Sequence, residues 1–441
     1  MTDAASVNNI EQIDINLLVP YAKNARKHNS KQIAQLMKGI SEFGFLVPIL
    51  IDDANTILAG HARLLAAQKL HMKTVPCIRV GHLSEKQKKA FIIADNRLAE
   101  LAKWDTPTLR EELNELVILG FDVELTGYLT GEVDLILDEN LSASSEDRLP
   151  EIPDGPAVSQ LGDTWLCGKH RVSCANSLLG PSYNALMAGM KAQQVFTDPP
   201  YNVPIDGHVC GLGKVKHREF AMATGEMSSP EFTQFLREFM EHMCAHSDDG
   251  AIHYICMDAQ HLKELLDAAY AVYGGMKQLC VWNKDNAGMG AFYRSKHELV
   301  AVFKHGKGKH INNFGLGDNG RYRTNVWDYP GANSLKKGGG RKELEDHPTP
   351  KCVAMVADAI RDCSHRNGII LDPFLGGGTT VIAAERTGRI CYGMEIDPLY
   401  VDLTVRRWQE FTGQTAVHAE TGQTFAEMAA QRQSSTPTTE A

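Results

Sequence analysis

Apolar residues in this chain come in short blocks, and from residue 160 onward these blocks alternate with longer amphipathic stretches. "QQVFT", "GAIHYIC", "KQLCVW", "ELVAVF", "GIIL" and "RICYGMEI" are bounded by turn residues and read as buried strands. Between them, "SPEFTQFLREFMEHMCAHS", "DAQHLKELLDAAYAVYGG" and "TPKCVAMVADAIRDC" have helical spacing, with Val353, Val356 and Ile360 on one face. Such alternation predicts an α/β domain on a mostly parallel sheet.

An earlier unit has its own pattern. "FLVPILID" and "KTVPCIRV" read as strands, and "NTILAGHARLLAAQKL" between them as strand, tight glycine turn and helix. "LSEKQKKAFIIADNRLAELAKWD" opens with Ser84 and Gln87 at capping-box spacing and continues as a helix. These patterns divide the chain into a domain at 10–135, an acidic linker at 136–158, a larger domain at 159–425 and a polar, disordered tail at 426–441.

Composition is that of an ordinary globular protein, with 43% hydrophobic and 22% charged residues. No apolar run approaches the roughly 20 residues needed to span a bilayer. The N-terminus lacks a basic and apolar leader, and the ten cysteines form no CxxC pair. A reducing cytoplasm is therefore expected, with no membrane. "HMCAH" (His242, Cys244, His246) has no second ligand pair nearby, so no metal is expected.

The net charge of −9 conceals an asymmetry. Residues 105–163 hold 2 Arg and 15 Asp+Glu, whereas residues 277–342 hold 13 Lys+Arg and 4 Asp+Glu. The basic segment, with Gly, Asn and aromatics interleaved, suits a phosphate-tracking insert at about 277–345.

Two stretches carry chemistry. In "VFTDPPYNV" an apolar strand ends at Asp198, and Pro199 and Pro200 then stiffen a loop that presents a carboxylate, free carbonyls and the Tyr201 ring. "GIILDPFLGGGTTVIAAERTGRICYGMEIDPLY" reads strand, glycine loop, helix, strand, acid. Gly376, Gly377 and Gly378 allow close backbone approach, Thr379 and Thr380 begin the helix, and Glu395 ends the second strand. Glu395 lies 19 residues beyond Gly376, the offset at which an acid meets ribose hydroxyls. A nucleoside is therefore expected, and a triphosphate is not, since the loop lacks Lys-Ser/Thr.

"DPPY" with "DPFLGGGTT", and "HPTPK" at 347–351 between them, resembles the amino-methyltransferases of DNA bases. The motif order is similar to that of their β-type class, and the resemblance covers about residues 160–420. It implies a Rossmann-like S-adenosylmethionine-dependent methyltransferase sheet that acts on double-stranded DNA. Asp198, Pro199, Pro200 and Tyr201 would be catalytic, with the Asp198 carboxylate and the Pro199 carbonyl accepting from the target amine and Tyr201 stacking on the flipped base. For the cofactor, Asp372 would hold the methionine amino group and Glu395 the ribose. Phe374 and Thr349 would line the adenine side and the remaining motif, beside Gly376, Gly378, Thr379 and Thr380. Lys336, Lys337, Arg341, Lys342, Arg321 and Arg323 would contact DNA. In this family Asp at the first motif position leans toward N6 of adenine, with N4 of cytosine the alternative.

"FLVPILID" with "ILAGHARLLAAQKL" resembles the ParB/sulfiredoxin-like domain over roughly residues 10–105. This implies a smaller α+β domain in which Gly60 and Arg63 form an accessory phosphate site for a nucleotide or DNA. A ParB-like DNA-binding regulatory protein is the reading of another class. A partition protein would follow this domain with a helix-turn-helix, where this chain shows an acidic linker. A homodimer is a further expectation. "VPC" at Cys77 lies within a strand and reads as core, not as a cysteine nucleophile.

Overall fold

The structure, a computed structural model, describes residues 9–138, 147, 149–150, 155–203, 223–285, 293–317, 322–331 and 351–434. The chain divides into two compact units, Met1–Glu139 and Asn140–Ala441.

In the first unit β1 (Ile10–Asp14), β2 (Ile49–Ile51), β3 (Ile57–Ala59) and β4 (Thr74–Arg79) form a sheet in the order β1-β4-β2-β3. Ile49, Ile51, Ile57, Val75 and the decoy Cys77 are fully buried in it beside Leu64. Helix α1 (Ser30–Phe43) packs on α2 (His61–Lys69), which begins at Gly60 as expected. The Ser84–Gln87 capping box opens α3 (Glu85–Ala99), and α4 (Thr106–Ile118) and α5 (Thr130–Asp138) follow. The acidic stretch from residue 105 thus carries helices as far as 138.

Among the described residues, the second unit is built on a ten-stranded sheet. Its strands are β5 (Thr164–Cys167), β6 (His170–Cys174), β7 (Ala192–Thr197), β8 (Ser247–Met257), β9 (Gln278–Asn283), β10 (His297–Lys304), β11 (Val326–Asp328), β12 (Ile369–Asp372), β13 (Ile390–Glu395) and β14 (Val417–His418). The order is β11-β9-β10-β8-β7-β12-β13-β6-β5-β14. The inner five, β8-β7-β12-β13-β6, run parallel. Every strand expected from the apolar blocks is present, with antiparallel flanks added on both sides.

Helices cover both faces. One buried cluster joins α6 (Gly180–Met187), α7 (Ser229–Ala245) and α8 (Leu262–Tyr273) to the sheet. The other joins α9 (Val353–Cys363), α10 (Thr379–Thr387) and α11 (Pro398–Thr412). From β7 the chain crosses to β8 on one side, and from β12 to β13 on the other. The strand order therefore reverses between neighbours β7 and β12, and in an open α/β sheet that reversal places the ligand crevice at their carboxyl ends.

Three expectations are corrected. The segment at 277–345 is not a free insert along its length, because β9, β10 and β11 are sheet strands. Since β10 runs antiparallel to β8, the basic turn that follows Lys304 lies at the edge away from the crevice. The tail at 426–441 is not wholly disordered. Phe425–Ser434 forms a helix, α12, that buries Phe425 and Met428 against the core, and Arg432 pairs there with Asp163. Arg323 is not free for DNA. Its Nε donates to Asp362 Oδ2 at 2.9 Å, its Nη1 to the Tyr329 hydroxyl at 3.0 Å, and its guanidinium lies 5.1 Å from the Trp327 ring centre.

Breaking that pair takes a guanidinium away from Asp362, whose side chain is only 4% exposed. Arg323→Ala should therefore cost about 3–5 kcal/mol of stability. Urea melts will show the loss, while the salt dependence of DNA binding stays as in the unaltered chain.

Candidate active site

Asp198 directly follows β7, and Asp372 ends β12, its parallel neighbour. The two strand ends are tied by a hydrogen bond from the Thr197 hydroxyl to Asp372 Oδ1, 2.9 Å long. Asp372 also accepts from Thr380 Oγ1 (2.6 Å) at Oδ2 and from the Phe374 N–H (3.1 Å) at Oδ1. It is buried, and desolvation pushes its carboxyl up to about 7 in spite of these donors. Once ionised, it has one Oδ2 lone pair for a further donor.

The glycine loop turns through Gly376 and Gly378, both at positive φ. A Cβ on Gly378 would meet Thr404 at 2.7 Å, so the close approach requires glycine there. Glu395 closes the loop from the next strand, accepting from the Gly376 N–H (3.0 Å) and the Asp397 N–H (2.9 Å). Burial raises its carboxyl. Phe374 is half-buried, edge-on to Phe239 with centres 4.9 Å apart. Thr379 and Thr380 begin α10 without a side-chain cap.

Around Asp198 the loop is held at both ends. Asn202, at φ 57°, donates to the Met227 carbonyl (2.8 Å) and accepts from the N–H groups of Gly225 and Met227. Pro199 is buried and Pro200 partly so. Tyr201 donates its hydroxyl to Asp198 Oδ1. Asp198 Oδ2 lies 2.8 Å from Lys351 Nζ. Burial and the adjacent Asp198 keep the Tyr201 hydroxyl well above its usual range.

The structure thus brings Asp198, Pro199, Pro200, Tyr201, Asp372, Phe374, Gly376, Gly378, Thr379, Thr380 and Glu395 to one edge of the sheet. Thr349, Arg321, Lys336, Lys337, Arg341 and Lys342 lie outside the described residues. Three participants were not anticipated. Lys351 contacts Asp198, and Glu298 contacts Lys351. Arg407, on α11, braces the loop by donating to the Gly377 carbonyl at 2.7 Å. Lys351 ends the quoted "HPTPK", whereas Glu298 had no sequence signal beyond its strand. His242 and His246 contact the Leu178 carbonyl and Asn184, and among the described residues no group of His, Cys, Asp and Glu could hold a metal.

The first unit places Gly60 at φ 104° as the N-cap of α2, with Arg63 folded back so that a Cβ on Gly60 would lie 2.9 Å from its Nη2. Arg63 Nε is buried without a hydrogen-bond partner among the described residues. A cleft of about 580 Å³ is lined there by Arg26, His28, Gln32, Gly60, His61 and Arg63, among others. Burial and the neighbouring His28 lower the His61 imidazole.

Comparison with known proteins gives three family matches. Residues 192–406 match the N6/N4 methylase family, described as DNA methylase. Residues 1–97 match the ParB N-terminal domain, and residues 107–161 the ParB-methyltransferase HTH domain, which the sequence reading had not recognised. The ParB-like nuclease domain-containing protein YnaK of Escherichia coli is 47% identical over 72 residues, 16% of this chain and 83% of that one. Type II methyltransferase M2.MboI of Moraxella bovis is 27% identical over 236 residues, 49% of this chain and 81% of that one. Among solved structures, the M1.HpyAVI–SAM complex aligns over 54% of this chain and 97% of its own, at 19% identity and a TM-score of 0.39.

The raised carboxyl of Asp372 has a measurable consequence. Its folded-state value lies above the unfolded one, so native Asp372 keeps its proton while the unfolded chain loses it. Its contribution to stability is full below the unfolded value and is lost as pH rises toward about 7. Asp372→Asn removes this dependence. Denaturant melts from about pH 4.5 to about 7.5 should therefore shift in favour of the variant, by at most about 1.4 kcal/mol per pH unit.

Proposed function

Because this chain belongs to the N6/N4 DNA methylases, with a ParB N-terminal domain joined ahead of the methylase, we propose that it methylates N6 of an adenine flipped out of duplex DNA, in the cytoplasm. The observation that carries this reading is the pairing of Asp198 and Asp372 on adjacent strand ends at the switch point.

The residues present fit S-adenosylmethionine. Ionised Asp372 retains a lone pair for an ammonium group, and Glu395 retains acceptor capacity for ribose hydroxyls beyond its backbone donors. Phe374 offers an apolar face, and the Gly376–Gly378 turn leaves room for a ligand backbone-close. Bound there, the cofactor supplies an electrophilic methyl group.

The chain's own residues then act on the acceptor. An exocyclic amine is a poor nucleophile because its lone pair is delocalised into the ring. Hydrogen bonds to Asp198 and to the Pro199 carbonyl draw the nitrogen toward a tetrahedral shape and aim its lone pair at the methyl group. No proton need leave first, so Asp198 acts as acceptor and positioner more than as a strong base. A base inside a duplex cannot reach this crevice; it must be flipped out, and the Tyr201 ring gives it a stacking face. The Asp at position 198 supports adenine, and N4 of cytosine is the alternative outcome. Arg321, Lys336, Lys337, Arg341 and Lys342 are proposed phosphate contacts.

Asp198→Ala should abolish methyl transfer while cofactor affinity by calorimetry is retained. Nucleoside mass spectrometry of DNA treated with the unaltered enzyme should show N6-methyladenine. N4-methylcytosine would overturn the adenine assignment, and wild-type turnover by the variant would remove Asp198 from the chemistry.

For the N-terminal unit we propose an anion site at Gly60 and Arg63 that takes a nucleotide or DNA phosphate. The unpartnered Arg63 Nε and the open first turn of α2, facing the cleft, support it. Arg63→Ala in the full chain should lose binding of a ribonucleoside triphosphate, while its melting temperature and its methylation of a short duplex hold. Equal binding by the variant would leave Arg63 as a surface residue.

A further inference from the structure

Four charges of alternating sign run in a chain beside the acceptor: Lys284, Glu298, Lys351 and Asp198. Lys284 follows β9, Glu298 sits in β10, and Lys351 precedes α9, so three separate segments converge on the loop after β7. Lys351 Nζ lies 2.7 Å from Glu298 Oε2, 2.8 Å from Asp198 Oδ2 and 3.3 Å from the Tyr201 hydroxyl. Glu298 pairs through its other oxygen with Lys284. The Lys351 side chain is 6% exposed and that of Glu298 15%. Two flanking ammonium groups hold the Glu298 carboxyl down to about 2 despite its burial, so it is an anion at every working pH.

This arrangement matters because Asp198 must do something that Lys351 opposes. As the target nitrogen takes the methyl group it gains positive charge, and Asp198 stabilises that charge. An ammonium 2.8 Å away on the same carboxylate would cancel the field of Asp198 and repel the developing cation. Glu298, at an equally short distance, shares the ammonium and neutralises it. The net field at the acceptor is then that of Asp198.

Resting on the methyl-transfer reading above, we propose that Glu298 is a positioning residue for that reaction. It holds Lys351 as its own counter-ion and so leaves the Asp198 charge available to the target amine. Glu298 acts through Lys351 and does not touch the base.

Glu298→Gln keeps the shape and removes the charge. At saturating DNA and cofactor its kcat should fall about 100-fold, the scale of lost preorganised electrostatics, while KM for both substrates stays within about twofold. Glu298→Asp, which keeps the charge, should retain most of the rate. Adding Lys351→Met to Glu298→Gln should raise kcat above that of Glu298→Gln alone, because the unneutralised ammonium is gone. Full kcat in Glu298→Gln overturns the proposal. So does a loss that the double variant fails to relieve, or a fall in melting temperature that alone accounts for it. Failure of the methyl-transfer reading itself looks different: the unaltered enzyme would then methylate no DNA, or Asp198→Ala would remain active.

Discussion

The hydrogen bond between Thr197 and Asp372 is the contact on which the site depends. It joins the last residue of β7 to the last residue of β12, the pair between which the sheet reverses its winding. Everything on the acceptor side, from Asp198 to Asn202, continues from one end of that bond. Everything on the glycine-loop side, from Phe374 to Thr380, continues from the other. Because Thr380 returns to the second oxygen of Asp372, the carboxylate fixes the start of α10 as well. A shift of either strand by one residue would turn Thr197 or Asp372 to the opposite face and separate the two halves.

This geometry concentrates carboxylates. Asp198, Glu298, Asp372 and Glu395 all lie at the same edge, and Asp372 and Glu395 are raised by burial. Such an edge suits a cationic ligand and repels phosphate, in keeping with a glycine loop that lacks a lysine. Lys351 is the buried exception, and its cost in desolvation is offset by two carboxylates at once.

Much of this was legible in the chain, because the signals are local. Apolar blocks gave the strands, and the residues immediately after "QQVFT" and "GIIL" gave Asp198 and the glycine loop. Glu395 was legible as well, since its offset from Gly376 follows from one helix and one strand. What was hidden depends on pairing. Glu298 reaches Lys351, the partner of Asp198, because β10 runs antiparallel beside β8, which puts its first residues at the crevice, and no periodicity encodes that. The same pairing moved the Lys304 turn to the far edge. Arg323 looked like one more cation in a basic run, and only the fold showed Asp362 beneath it. The tail read as polar because its anchors, Phe425 and Met428, are few and its cation has a partner more than 260 residues away.

The two units use one backbone device with opposite electrostatics. Helices α2 and α10 both start from a left-handed glycine, Gly60 and Gly378, with no side-chain cap, whereas α1, α4 and α11 are capped by Asn29, Asp105 and Asp397. An uncapped first turn presents N–H groups to whatever lies in front of it. Ahead of α10 an acid, Glu395, takes the Gly376 N–H and makes the loop a place for hydroxyls and positive charge. Ahead of α2 the nearest side chain is the Arg63 guanidinium, folded over Gly60 with one N–H still open, so the same turn there favours an anion. The sign of the neighbouring side chain, more than the glycine turn, decides which ligand each helix can accept.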